Sequence, residues 1–276
     1  MRKLDPNDYH SVADYQEALD ALHGITGAML FEFARYGQGY RDTIVRNFIA
    51  RTNVMARAVF RLWDLQDYHD CWILHRCLLD RLFHLEHLYE HDEFELFEAW
   101  SFLQQYDAMN RVRSDPEFKG ASAVSMFDLT PEQTKRAQSL RAQPPKWRRP
   151  KAEEVARRLK LHFLYRYGYD FGSTHVHPMA NDGHQDFFSI TGLQPTPEFP
   201  DWRVVLSNTL LVSTMLVQTG MNASSLRWRA VAYNFLDELR EFLGSGREDY
   251  KDTCSKLAVA LQQGFTLAAP GGSGAG

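Results

Sequence analysis

Tyr68-His69-Asp70-Cys71-Trp72-Ile73-Leu74-His75-Arg76-Cys77-Leu78-Leu79-Asp80-Arg81-Leu82-Phe83-His84-Leu85-Glu86-His87-Leu88-Tyr89-Glu90-His91 contains neither glycine nor proline. Its period is helical. At about 100° per residue, Leu74, Leu78, Leu82, Leu85 and Tyr89 fall within an arc of about 80°, which predicts one apolar stripe facing a core. With Arg76 as zero, His69 and His87 lie at about 20°, Asp80 at about 40°, His91 at about 60° and His84 at about 80°, on the opposite side. Polar residues opposite an apolar stripe usually face solvent. An exposed face is more often built of Lys and Glu, and Trp72, Leu79 and Phe83 flank Arg76 and Asp80, so partial burial of that pair is expected.

Working outward, the same period recurs on both sides. Val12, Tyr15, Leu19, Leu22, Met29 and Phe33 predict a helix that breaks at Gly37 and Gly39. Ile44, Phe48, Met55, Val59, Leu62 and Trp63 predict a second helix from Arg41 to about Gln66, and a fourth runs from Phe94 to about Val112. Pro116, the small residues Gly120 to Ser125, and Pro144, Pro145 and Pro150 break the middle of the chain. There Thr130-Pro131-Glu132-Gln133 has the form of a capping box with proline at the first helical position. A further helix, or a closely linked pair, is expected from Lys151 to Ser173. A long irregular Pro-rich loop then spans His175 to Asp201, with Pro178, Pro195, Pro197 and Pro200. Helices are expected again over Trp202–Thr219, Asn222–Leu243 and Arg247–Gln263. The fold class is therefore all-α, an antiparallel multi-helix bundle. Residues 1–265 are read as one domain and 266–276 as a flexible small-residue tail.

Composition narrows the class further. With 18 Phe, 12 Tyr and 6 Trp among 276 residues, the chain has far more apolar surface than a disordered one. No apolar run is read as approaching the ~20 residues needed to cross a bilayer, and the N-terminus lacks the apolar stretch of a signal peptide, so a cytoplasmic protein without a membrane partner is expected. Cys71, Cys77 and Cys254 form no C-x-x-C pair and read as reduced core thiols. Charge is unevenly placed. Between Lys135 and Arg166 there are eleven Lys or Arg against Glu153 and Glu154 in a chain of net charge −4. Such a block is a solvated face, a contact to the acidic stretch Asp92 to Glu98, or a seat for RNA or a nucleotide. In the last case Lys146, Arg148, Arg149 and His175 would bind phosphate and Trp147 would stack on a base.

Arg76 and Asp80 are spaced for an i,i+4 ion pair, and a partly buried pair commonly orients a third group. His175 and His177 alternate around a valine in Gly172-Ser173-Thr174-His175-Val176-His177-Pro178. A metal site from Asp80, His84, His175 and His177 is one reading of these histidines, but without a matched second cluster no metal or other cofactor is expected.

The run Arg76-Cys77-Leu78-Leu79-Asp80, Trp147, and Tyr169 through Ser173, Val176, His177 and Pro178 resemble a widespread bacterial family of all-helical proteins of unknown function. That family carries R-x-L-L-[DE] and later Y-x-x-x-S-x-x-V-H-P. The resemblance implies site positions Arg76, Asp80, Tyr169, Ser173 and His177, with Asp80 where the family usually has Glu. A more distant similarity is to HEPN-type helical bundles, many of them metal-independent ribonucleases. Their R-x(4-6)-H motif is absent, because Arg166 precedes His175 by nine positions and His177 by eleven.

Besides the metal-binding bundle that Asp80, His84, His175 and His177 would make, two functions follow. One is a non-catalytic regulatory or interaction module, serving bacterial defence or stress response, with a protein partner or a second copy and an Arg/Asp/His polar network. The other is a phosphodiester-directed enzyme on RNA or a nucleotide. His177 would be its general acid or base, with Arg76 on the phosphoryl group, Asp80 holding Arg76 or the histidine, and Ser173 or Tyr169 positioning substrate.

Overall fold

Helix α1 (Val12–Tyr36) and helix α2 (Gly39–Asp64) are separated at Gly39, whose φ of +90° suits glycine alone. Gln66 turns the chain left-handed, and Asp67 then caps α3 (Tyr68–His91) by accepting from the Asp70 backbone N–H. Asp92, also left-handed, ends α3 before α4 (Phe94–Ser114). The capping box at Thr130 forms on both sides and starts α5 (Pro131–Ala142). Short α6 (Ala152–Arg158) is followed by α7 (His162–Leu164), a π-helical turn at Tyr165–Asp170, and α8 (Phe171–Thr174). The bundle is completed by α9 (His184–Thr191), α10 (Arg203–Ala223), α11 (Arg229–Ser245) and α12 (Asp249–Leu267). This computed structural model describes residues 10–36, 39–118, 128–177, 179–180, 183–193, 203–226 and 229–267. The expected break at Gly37, the small-residue stretch Gly120 to Ser125, the prolines Pro178, Pro195, Pro197 and Pro200, and the tail from 268 lie outside them.

The bundle is built on three helices, α2, α3 and α10, each packed on the other two. Helix α1 lies on α2 and α10, α11 on α10, and α12 on α11 and α1; α4 rests on α2 and carries α5. Contrary to the expectation that no apolar run is long enough to span a bilayer, α10 is, by length and composition. Its position explains the hydropathy, because Leu206, Leu210, Val212, Leu216, Val217 and Met221 are all buried in the core. Two other readings are corrected. The stretch expected to be irregular contains α9, and the helix expected from Asn222 begins at Arg229, after Ala223 ends α10.

On α3 the buried arc is nearly three times as wide as its leucine stripe. Trp72, Leu79 and Phe83 are as buried as Leu78 and Leu82, and His75 is fully enclosed among them. Tyr89, read as the end of the stripe, is 44% exposed.

Candidate functional site

The π-helical turn determines what reaches α3 from the second half of the chain. A π turn inserts an extra residue into the helical ladder and so re-phases the faces on either side of it. Here it lays two glycines against α3. A Cβ on Gly168 would stand 2.5 Å from Leu79 Cδ1 and 3.0 Å from His75 Nε2, and a Cβ on Gly172 would stand 2.8 Å from the Trp72 carbonyl oxygen. Only glycine permits this approach.

With the backbones so close, Tyr169 and Ser173 reach Arg76 from 93 and 97 residues away. Arg76 donates from Nε to Ser173 Oγ at 2.7 Å and from a terminal nitrogen to the Tyr169 hydroxyl at 3.2 Å. Its guanidinium carbon lies 4.6 Å from the Tyr169 ring centre. Asp80 pairs with Arg76 at 3.7 Å, long for an ion pair, as the shorter acid at this position would give. Burial first, and then the Asp80 charge, push the Tyr169 phenol's pKa up. Ser173 in turn donates to the Tyr169 carbonyl at 2.7 Å. Arg76, Asp80, Tyr169 and Ser173 therefore form one closed, half-buried network. Ser173→Ala would remove the Nε acceptor and is expected to cost about 1–2 kcal/mol in urea unfolding. An unchanged unfolding midpoint would show that Ser173 carries none of the network's stability.

The two motif histidines lie elsewhere. His175 packs beside the rings of His69, at 4.8 Å, and Phe171, at 4.9 Å. His177 is exposed, and among the described residues it makes no hydrogen bond or ion pair with the network. Likewise, no three His, Cys, Asp or Glu side chains among the described residues are grouped so as to hold a metal ion.

Trp147 requires a correction. Far from being open to stack on a base, it is 4% exposed, with ring contacts to Trp100 at 4.5 Å, Phe97 at 4.9 Å and His84 at 6.1 Å. The proline-flanked segment 144–150 runs over α3 and α4 and buries its one large apolar side chain there. Much of the basic block is neutralised at home: Arg136 pairs with Glu98, Arg141 with Asp107, Arg158 with Glu90, Arg157 with Glu153 and Lys151 with Glu154. Lys146, Arg148 and Arg149 have no ion pair among the described residues.

Arg149 instead opens onto a cavity of about 330 Å³ with Asp80, Arg81, His84, Trp100 and Ser101. A second chamber of about 330 Å³ shares Phe48, Arg81, Phe97 and Ser101 with the first and is lined beyond them by Thr43, Asn47 and Gln105. The two are ends of one groove between α2, α3 and α4. His84 donates from Nδ1 to the Asp80 carbonyl at 2.6 Å, which leaves the lone pair on Nε2. Burial lowers its pKa, so the imidazole is neutral at neutral pH.

Arg81 and His75 are the residues that sequence reading left unassigned. Arg81 donates only to the Met55 thioether, at 3.2 Å, and has no carboxylate partner among the described residues. No pattern in the sequence distinguishes it from an exposed helical arginine. His75 was legible in principle, since on the helical wheel it falls between Leu82 and Leu79. Its Nδ1 meets Thr209 Oγ1 at 3.2 Å, its Nε2 is buried without a hydrogen-bond partner among the described residues, and desolvation takes its pKa down to about 3.

No curated protein and no solved structure matches the chain. The model of a family of unknown function, DUF5677, matches residues 42–190, just over half of the 276. That segment contains the whole Arg76 network and every groove residue named above. The chain belongs to this family, DUF5677.

Proposed function

We propose that the protein is a non-catalytic regulatory or interaction module whose groove between α2, α3 and α4 takes a small ligand bearing an anionic group. The observation that carries this reading is Arg81. A half-buried guanidinium that donates, among the described residues, only to a thioether is costly, because water has been removed from a charge and the Phe48 ring, 5.9 Å away, is a weak substitute for a carboxylate. Arg51 aggravates the cost. Burial, and then the Arg51 charge, lower the Arg81 pKa. Of the groove's own acids, Asp80 is engaged by Arg76 and its charge offsets only part of the cost, and Glu98 is paired with Arg136. Residues kept at such expense are characteristic of binding sites.

A phosphodiester-directed enzyme draws less support. Its proposed acid or base, His177, lies outside the network, and Arg76 is already engaged by Ser173, Tyr169 and Asp80.

Thermal unfolding in rising inorganic phosphate tests the binding reading. The melting temperature of the wild type should climb with concentration, as it does for any ligand that binds the folded state alone. Arg81→Met should abolish the climb and yet melt, without phosphate, at the same temperature or a few degrees higher, because a buried uncompensated charge has been replaced by an apolar chain worth about 1 kcal/mol. A wild type indifferent to phosphate, or a variant that still responds, would overturn the reading.

A further inference from the structure

From α7 through the π-helical turn to α8 the burial pattern repeats every four residues, so the run has four edges. Leu164, Gly168 and Gly172 are the buried one, the two glycines lying against α3. Tyr169 and Ser173 belong to the edge that holds Arg76, where the Tyr165 and Tyr169 rings stack at 5.4 Å. His162, Arg166, Asp170 and Thr174 make the outward row and are all exposed. The remaining edge is aromatic: Phe163, Tyr167 and Phe171. It is held in place, since Phe171 meets Trp72 edge-on at 5.0 Å and Phe163 lies 4.7 Å from Tyr167. Nevertheless Phe163 is 59% exposed, Tyr167 62% and Phe171 39%.

Val176 and Met179, which follow α8, are also exposed. Together the five side chains leave roughly 500 Å² of largely apolar surface in water, in the range where the largest patch of a single chain is often functional. None of them lines the groove between α2, α3 and α4. Two such surfaces set face to face would remove about 1,000 Å², the area at which a specific protein contact becomes stable. Tyrosine and phenylalanine are also the side chains that interface centres favour.

The order of residues points to a second copy of this chain as the occupant. Phe163-x-x-x-Tyr167-x-x-x-Phe171 reads the same from either end. A two-fold contact requires that residue i meet residue j and that j meet i. With two copies antiparallel and the axis at Tyr167, each Tyr167 meets its own counterpart, and each Phe163 meets the partner's Phe171. The outward row agrees in charge. Under the same axis Arg166 comes within about 3 Å, measured along the helix, of the partner's Asp170, an offset that an arginine side chain spans. A parallel pairing would set Arg166 beside Arg166 and Asp170 beside Asp170. In the single chain these two charges are hydrated, so their pairing fixes orientation more than it adds strength. A lipid surface or an unrelated protein would call for neither the palindrome nor the charge order.

We infer that the protein forms a two-fold homodimer through the stripe Phe163, Tyr167 and Phe171, with the two π-helical turns antiparallel and Arg166 set against the partner's Asp170.

Sedimentation equilibrium of the full chain tests this directly. The wild type should reach twice the chain mass by about 100 μM. Tyr167→Asp places two carboxylates at the axis and should weaken association about a hundredfold or more, with circular dichroism and melting temperature unchanged because the side chain is exposed in the single chain. Arg166→Asp and Asp170→Arg each set like charges together and should weaken it about tenfold; the two combined restore opposite charges and should return the affinity to within about twofold of the wild type. A wild type that remains monomeric at about 100 μM, a dimer that Tyr167→Asp leaves intact, or a double exchange no better than its singles would overturn the homodimer. Flotation with phosphatidylcholine and phosphatidylglycerol vesicles is the second arm. A monomeric chain that floats with the vesicles, and ceases to with Tyr167→Asp, would assign the stripe to a lipid surface instead.

Discussion

Lowering the pH from 7 to 4 is expected to remove about 3 kcal/mol of stability through His75 alone. The ring is fully enclosed and desolvation takes its pKa down from 6.5 to about 3. Above pH 6.5 it is neutral folded or unfolded and costs nothing. As the pH falls below 6.5, the unfolded chain gains a proton that the folded chain refuses, so stability declines by up to about 1.4 kcal/mol per pH unit until the folded ring also titrates, near pH 3. Glu86 acts in the opposite sense. Its carboxyl is raised by burial, so its folded form takes up a proton before the unfolded form does, and it adds stability as the pH drops. The His75 contribution is therefore read as a difference. Urea unfolding at pH 7, 6, 5 and 4 should show the wild type losing stability faster than His75→Gln, which can still bond Thr209 but cannot become charged. Parallel pH profiles for the two proteins would rule His75 out as the acid-labile group.

Gly172→Ala is expected to destabilise the fold by about 2 kcal/mol and to lower the melting temperature by about 4–8 °C. The added methyl would stand 2.8 Å from the Trp72 carbonyl oxygen and 2.8 Å from Arg76 Cβ. The first is backbone and the second sits at the root of its side chain, so neither can swing aside. The π-helical turn must then move off α3, and Ser173 and Tyr169 move with it. A second effect should accompany the first: tyrosine fluorescence and near-ultraviolet dichroism should change as the Arg76–Tyr169 contact opens. Gly24→Ala is the control, since nothing lies within 4 Å of a Cβ there. If both substitutions have equal effects, close approach at Gly172 is not what holds the turn in place.

The helices were legible where one physical signal dominated. Unbroken 3.6-residue periodicity gave α3 its bounds, and the capping box at Thr130 appears in the structure with both of its hydrogen bonds. Legibility failed where two signals competed. Prolines at either end of the stretch 175–201 outweighed the short apolar pattern of Phe187, Phe188 and Ile190, which hid α9. Trp147, set among arginines and prolines, had the composition of an exposed nucleic-acid contact. Only the tertiary positions of Phe97 and Trp100 make it a core residue. The meeting of Arg76 with Tyr169 and Ser173 followed from family resemblance alone, since no local rule relates residues 93 and 97 positions apart. Arg81 is the extreme case. A carboxylate's failure to arrive is a property of the folded surroundings and has no trace in the chain.

The central position of α10 also has a consequence for synthesis. Helices α2 and α3 end at Asp64 and His91, whereas the helix that covers both of them begins at Arg203, more than a hundred residues later. At about 5–20 residues per second, the ribosome leaves that apolar seam open for on the order of ten seconds. Through that interval the nascent chain is a natural client for holding chaperones. The segment that carries the family signature, residues 42–190, would keep the seam open permanently if produced alone.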